Sequence, residues 1–147
     1  MPTISFVIPV KDEEEVLPEL YRRLDAVARE IQGDCEFILV DDGSTDRSRE
    51  MMSELRGRDE RLKLIFLARN FGHQLAISAG LDFASGDAVV ILDGDLQDPP
   101  EVILEMIPLW REGYEVVHAV RRRMHNKPDW MYSSTKPRCF SLRVPST

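Results

Sequence analysis

Five short apolar runs, separated by stretches of helical period, limit what this 147-residue chain can fold into. "TISFVIPV" (3–10), "EFILV" (36–40), "LKLIFL" (62–67), "AVVIL" (88–92) and "EVVHAV" (115–120) are rich in β-branched residues and nearly continuous in hydrophobicity. Strands with that pattern are buried on both faces, which a parallel sheet covered by helices provides. Between the first two runs, Val16, Leu17, Leu20, Leu24, Val27 and Ile31 recur at spacings of three and four, predicting a one-faced helix. "STD" (44–46) supplies capping side chains for a second helix through Met51, Met52 and Leu55. Leu75, Ala76, Ala79, Gly80 and Phe83 predict the inward stripe of a third, with Gly86 as its C-terminal cap. Asp98, Pro99, Pro100 and Glu101 resemble a helix start, followed by inward Val102, Ile103, Met106 and Trp110. The expected fold class is α/β, a mostly parallel sheet with helices on both faces.

Charge divides the chain unevenly. Seven of its 19 basic residues, but one of its 26 acidic residues, lie beyond residue 120. Residues 1–123 form the expected domain, and 124–147, with Pro128, Pro137 and Pro145 and no sustained period, are expected to be an irregular basic tail. A formal net charge of -7 argues against binding nucleic acid through phosphate neutralisation. Cys35 and Cys139 have neither zinc-site nor disulfide-framework spacing, which fits a reducing cytoplasm. No run approaches the roughly 20 apolar residues of a membrane span.

Ligands of open α/β sheets bind beyond the carboxyl ends of the strands, where this chain places "KDEEE", "DDGSTD", "ARNFG" and "DGDLQD". Acids gathered on one rim repel each other unless something positive joins them. Asp93 and Asp95, separated by Gly94, can aim two carboxylates at one point, while Gly94 lets the backbone turn and a ligand approach. Hard oxygen donors suit Mg²⁺ or Mn²⁺, with Gln97 as a neutral third ligand. Magnesium binds one or two carboxylates together with substrate phosphate oxygens, so a diphosphate is the natural partner. His73 can approach a ligand from the turn after the third strand, although a histidine that opens a helix is more often structural. "DDGSTD" also has a counterpart in phosphate-receiving regulatory domains, but that reading gives "DGDLQDPPE" no use.

"FVIPVKDEEE", "LVDDGSTD", "ARNFGHQLAISAGLDFASGD" and "VVILDGDLQDPPE" together resemble the successive blocks of family 2 inverting glycosyltransferases of the GT-A fold. The nearest resemblance is to the branch that moves a sugar from a nucleotide-sugar to a polyprenyl or dolichyl phosphate, including dolichyl-phosphate mannose synthases and bactoprenol glucosyltransferases of cell-envelope glycan synthesis. It covers residues 3 to about 123. The resemblance implies that Pro9, Lys11 and Glu13 contact the nucleoside, with Lys11 standing where many members carry an aromatic. It implies that Val40 and Asp42, with Asp41 beside them, hold base or ribose. Asp93 and Asp95 match the metal-diphosphate motif, with Gly94 between them and Gln97 assisting, and Arg121 matches an arginine at the diphosphate. Asp93, Asp95 and Arg121 would then be the catalytic set, using Mg²⁺ or Mn²⁺ and a UDP- or GDP-sugar. A guanidinium suits phosphate because it gives two parallel hydrogen bonds, although Arg121 can equally be a solvated member of the run Arg121 to Arg123.

A lipid phosphate acceptor is already anionic and needs no general base. Relatives with hydroxyl acceptors would use a carboxylate beyond residue 123, where Asp129 stands off pattern. Family members continue with acceptor-side elements and commonly membrane helices, none of which is legible after residue 123. Two expectations follow: a metal-dependent transferase at the cytoplasmic face of the membrane, with peripheral contact, or a nucleotide-sugar-binding remnant or subunit without the acceptor half.

Overall fold

A computed structural model describes residues 3–97, 99–124, 127–132 and 140–143, the positions beyond 119 by their backbone alone. Strands β1 (Thr3–Val10), β2 (Asp34–Asp41), β3 (Leu62–Phe66) and β4 (Ala88–Ile91) alternate with helices α1 (Leu17–Glu30), α2 (Ser48–Arg58) and α3 (His73–Phe83). A short 3₁₀ turn at Pro100–Val102 leads into α4 (Ile103–Arg111), and strands β5 (Val116–Met124), β6 (Lys127–Tyr132) and β7 (Phe140–Arg143) follow. The sheet order is β3-β2-β1-β4-β7-β5-β6. β1 pairs in parallel with β2 and β4, and β2 with β3. β7 lies antiparallel between β4 and β5, so β5 runs in the direction of β1 to β4. The expected mostly parallel α/β architecture is therefore present.

Strand alternation divides the core. Ile4, Phe6, Ile8 and Val10 face one side, packing with Leu17, Leu20, Leu24, Met52, Ile103 and Met106. Val7, Ile38, Val40 and Val89 face the other, beneath Ala76 of α3. The small residues of α3 set its distance from the sheet: a Cβ on Gly80 would stand 2.4 Å from Val7 Cγ1. This corrects the predicted inward stripe, because Ala76 and Gly80 are buried while Leu75 and Phe83 are 55% and 61% exposed.

Two further expectations change. Gly86 is not the cap of α3, which ends at Phe83 with Ala84 as C-cap. Gly86 is needed instead where the chain crosses β1, because a Cβ there would meet Ser5 Oγ at 2.6 Å and Thr3 O at 2.8 Å. Residues 124–147, expected to be irregular, contribute β6 and β7, the latter inserted into the sheet. Asp98, read as a helix cap, lies outside the described residues.

Candidate functional site

The carboxyl ends of β1, β2 and β4 release their loops on one rim. There Pro9, Val10, Lys11, Glu13, Asp42, Asn70, Gly72, His73, Asp93, Gly94 and Asp95 line a cleft of about 380 Å³. That volume falls in the range that holds a small-molecule ligand.

Each loop is fixed by its own polar atoms. Asp12 adopts a left-handed backbone with φ 51°, and its Oδ1 accepts the Thr45 amide at 2.7 Å, tying the loop after β1 to the loop after β2. The Lys11 ammonium donates to the Gly43 carbonyl at 2.7 Å. Gly43 has φ 74°, and a Cβ there would stand 2.5 Å from the Asn70 nitrogen, so only glycine lets these loops cross so closely. Asp42 Oδ1 accepts the Phe71 amide at 2.8 Å, and Asn70 Oδ1 accepts the Gly72 amide at 3.0 Å. On the β4 side, the Leu92 amide donates to Val7 O at 3.0 Å, and a Cβ on Gly94 would come 2.9 Å from Pro9 O. The close approach that requires Gly94 is thus to the β1 backbone.

The electrostatics are acidic. Burial, followed by the charges of Asp95, Asp46 and Asp12, pushes the Glu13 carboxyl above its ordinary value. Glu13, Asp42 and Asp95 meet no lysine or arginine within salt-bridge distance among the described residues. His73 Nε2 approaches Asp93 Oδ1 at 3.2 Å.

Pro9, Lys11, Glu13, Asp42, Asp93, Gly94 and Asp95, all anticipated from sequence, meet around this cleft. Val40 and Asp41 lie behind it, both fully buried. Asp41 Oδ2 accepts hydrogen bonds from Arg49 Nε and, at 3.2 Å, from the Ser44 amide, while its Oδ1 has no partner. Gln97 is exposed outside the cleft, its backbone N–H donating to Asp95 Oδ1 at 3.1 Å. Arg121 stands on β5 opposite Trp130 of β6, and its side chain lies outside the described residues. Asn70 and Gly72 enter the cleft without having been assigned to it, their sequence signal being the polar turn after β3.

No group of three or more His, Cys, Asp or Glu residues able to hold a metal occurs among the described residues. Asp93 and Asp95 offer two carboxylates at most, a donor set that fits Mg²⁺ or Mn²⁺ when ligand phosphate and water complete the shell. The surplus negative charge around Glu13 is consistent with that fit.

The Glycosyl transferase family 2 profile matches residues 5–145. The chain is 54% identical over 119 residues to the uncharacterized glycosyltransferase YkcC of Bacillus subtilis, covering 81% of this chain and 37% of YkcC. It is 40% identical over 142 residues to the undecaprenyl-phosphate 4-deoxy-4-formamido-L-arabinose transferase of Proteus mirabilis, covering 96% of this chain and 43% of that protein. The chain thus spans less than half the length of these relatives. Its fold is similar to that of the mannosyltransferase PcManGT of Pyrobaculum calidifontis, solved with GDP-Man and Mn²⁺ (TM-score 0.69, 22% identity, 82% of this chain and 36% of that one). TarS 1-349 of S. aureus in complex with UDP-GlcNAc is similar too, at TM-score 0.66 and 22% identity, covering 86% of this chain and 36% of that one.

Proposed function

This chain belongs to glycosyl transferase family 2, and we propose that its cleft holds the nucleoside diphosphate of a UDP- or GDP-sugar for inverting transfer to a polyprenyl phosphate. The observation that carries this reading is the cleft itself, where Asp93, Asp95, Asp42 and Glu13 converge at the carboxyl ends of three parallel strands. The undecaprenyl-phosphate transferase among its relatives supports the acceptor class. The GDP-Man, Mn²⁺ and UDP-GlcNAc of structures sharing the fold support the donor class and a divalent cation.

In this reading residues 1–123 form the donor-binding part. Pro9, Lys11 and Asp42 surround the nucleoside, with Val40 and Asp41 supporting that wall from behind. Asp93 and Asp95 would hold Mg²⁺ or Mn²⁺, with Gln97 assisting from the loop. The bound cation would supply Lewis-acid stabilisation of the charge that gathers on the departing nucleoside diphosphate. Arg121 would add two parallel hydrogen bonds to the same phosphate oxygens, stronger in the transition state because the charge is larger there. The acceptor phosphate is its own nucleophile, so the chain's task is to bind and orient. A lipid acceptor places the reaction at a membrane surface, and no helix among the described residues is long and apolar enough to cross one.

Calorimetric titration of the 147-residue chain with UDP and GDP, in Mn²⁺ or in EDTA, tests the donor site. Metal-dependent binding of one nucleotide is expected, weakened by about 100-fold or more in Asp95→Ala, since removing a ligand also leaves the remaining charges uncompensated. Equal binding in EDTA, or no loss in Asp95→Ala, would overturn the reading.

A further inference from the structure

Asp93 must present an oxygen from a loop, so the orientation of its side chain matters as much as its charge. Its backbone is fixed on both sides, by the Leu92 amide on Val7 O and by the contact of Gly94 with Pro9 O. These restraints leave the two side-chain torsions of Asp93 to be set by its neighbours. One such neighbour is His73, whose Nε2 lies 3.2 Å from Asp93 Oδ1.

His73 reaches Asp93 from a rigid platform. It is the first residue of α3, whose N-cap Gly72 has φ 97° and whose first turn closes with the Ala76 amide on Gly72 O at 3.1 Å. Gly80 then holds the helix close against Val7 and Val40 of the sheet. Imidazole and carboxylate side chains are 53% and 28% exposed, so their attraction contributes little to folding. A contact of small structural value between two residues lining one cleft points to a ligand-directed role.

We infer that His73 is a positioning residue for Asp93: its Nε2, carried on the anchored end of α3 and 3.2 Å from Asp93 Oδ1, sets the orientation in which that carboxylate meets the divalent cation of the bound diphosphate. The inference rests on the donor-site reading above. Carboxylates that bind metals are commonly oriented by such outer hydrogen bonds, because a fixed ligand loses less freedom when the cation arrives.

The test compares the intact chain with His73→Ala and His73→Gln, whose amide nitrogen can still donate. Calorimetry with UDP and GDP is run in Mn²⁺ and in EDTA, with melting temperature as the control for folding. His73→Ala is expected to weaken metal-dependent binding about tenfold with binding in EDTA and melting temperature unchanged, and His73→Gln to recover to within about threefold of the parent. Unchanged affinity in His73→Ala, an equal loss with and without metal, or a glutamine variant as weak as the alanine one would each overturn the inference. If the parent chain binds neither nucleotide, the donor-site reading fails, and Mn²⁺ alone then decides the role of His73 through water-proton relaxation. Weaker Mn²⁺ binding in His73→Ala than in the parent supports positioning, whereas equal binding or none overturns it.

Discussion

Glu36 at the amino end of the sheet and Glu13 at its carboxyl end are held in opposite ways. At the amino end, Glu36 accepts Ser5 Oγ at 2.5 Å, Lys63 Nζ at 2.6 Å, and the amide and hydroxyl of Ser85 at 2.8 and 3.0 Å. Nearby, Asp59 receives Tyr21 Oη at 2.8 Å and the Arg61 guanidinium, which also reaches Asp25 at 2.7 Å and lies over the Phe37 ring. At the carboxyl end, burial, followed by the charges of Asp95, Asp46 and Asp12, raises the Glu13 carboxyl, whereas Glu36 and Asp59 at the amino end are lowered. The chain can pair its acids closely, and it does so where pairing holds strands together. Under the proposed function, a cation brought by the ligand would neutralise the surplus at the rim.

Acid titration should break the amino end first. Burial would raise the Glu36 carboxyl, but the bonds from Lys63, Ser5 and Ser85 outweigh it and bring the carboxyl to about 2 from an ordinary value of 4.5. A lowered folded value gives stability that is fully present above pH 4.5 and is lost as the pH falls through about 2, on the order of 3 kcal/mol in all. Urea unfolding should therefore find Glu36→Gln less stable than the parent at pH 7, with the gap closing toward pH 2. A gap independent of pH would remove the pairing from the comparison. Next in size, Arg61→Ala leaves Asp59 without its guanidinium and should cost about 2 kcal/mol by thermal unfolding. Arg47→Ala, which loses only an exposed pair with Glu50, should cost less than about 0.5 kcal/mol. Equal losses would show that the burial of Asp59 adds nothing to its pairing.

Sequence pattern reports period well and phase poorly. The β1 to β5 runs and the α1 stripe were legible because hydrophobic repeats follow directly from which side chains are buried. In α3 the stripe was read too wide: Ala76, Ala79 and Gly80 do turn inward and allow close approach, while the larger Leu75 and Phe83 are exposed. β6 and β7 were illegible because β6 carries Pro128, and because β7 has only four residues and pairs with β4 and β5 far from it in sequence. The site shows the same limit. Adjacent aspartates read as one acidic cluster, yet strand alternation turns Asp41 onto Arg49 behind the rim and leaves Asp42 in the cleft. The Gly43 crossing and the approach of His73 to Asp93 depend on how loops meet in space, which no local pattern encodes.

The last expected effect bears most directly on the rim. A raised folded value for Glu13 means the fold favours its protonated form. That stability is fully present below the ordinary value of 4.5 and is lost as the pH rises through the raised one, so the ionised carboxylate burdens the fold at neutral pH. Glu13→Gln keeps the shape and removes the charge, and should raise stability at pH 7 by less than about 1 kcal/mol. Melting the parent and the variant at pH 7 and pH 4, with and without Mn²⁺ and UDP or GDP, separates the causes. The gain should vanish at pH 4, where the parent is largely protonated, and shrink when a bound cation neutralises Asp95. At the same time the variant should bind the metal-nucleotide pair more weakly, because the charge that burdens the rim is the charge that would attract the cation. A variant less stable than its parent at pH 7 without metal would mean that Glu13 is held by favourable contacts, as Glu36 is, and the contrast between the two ends of the sheet would fail.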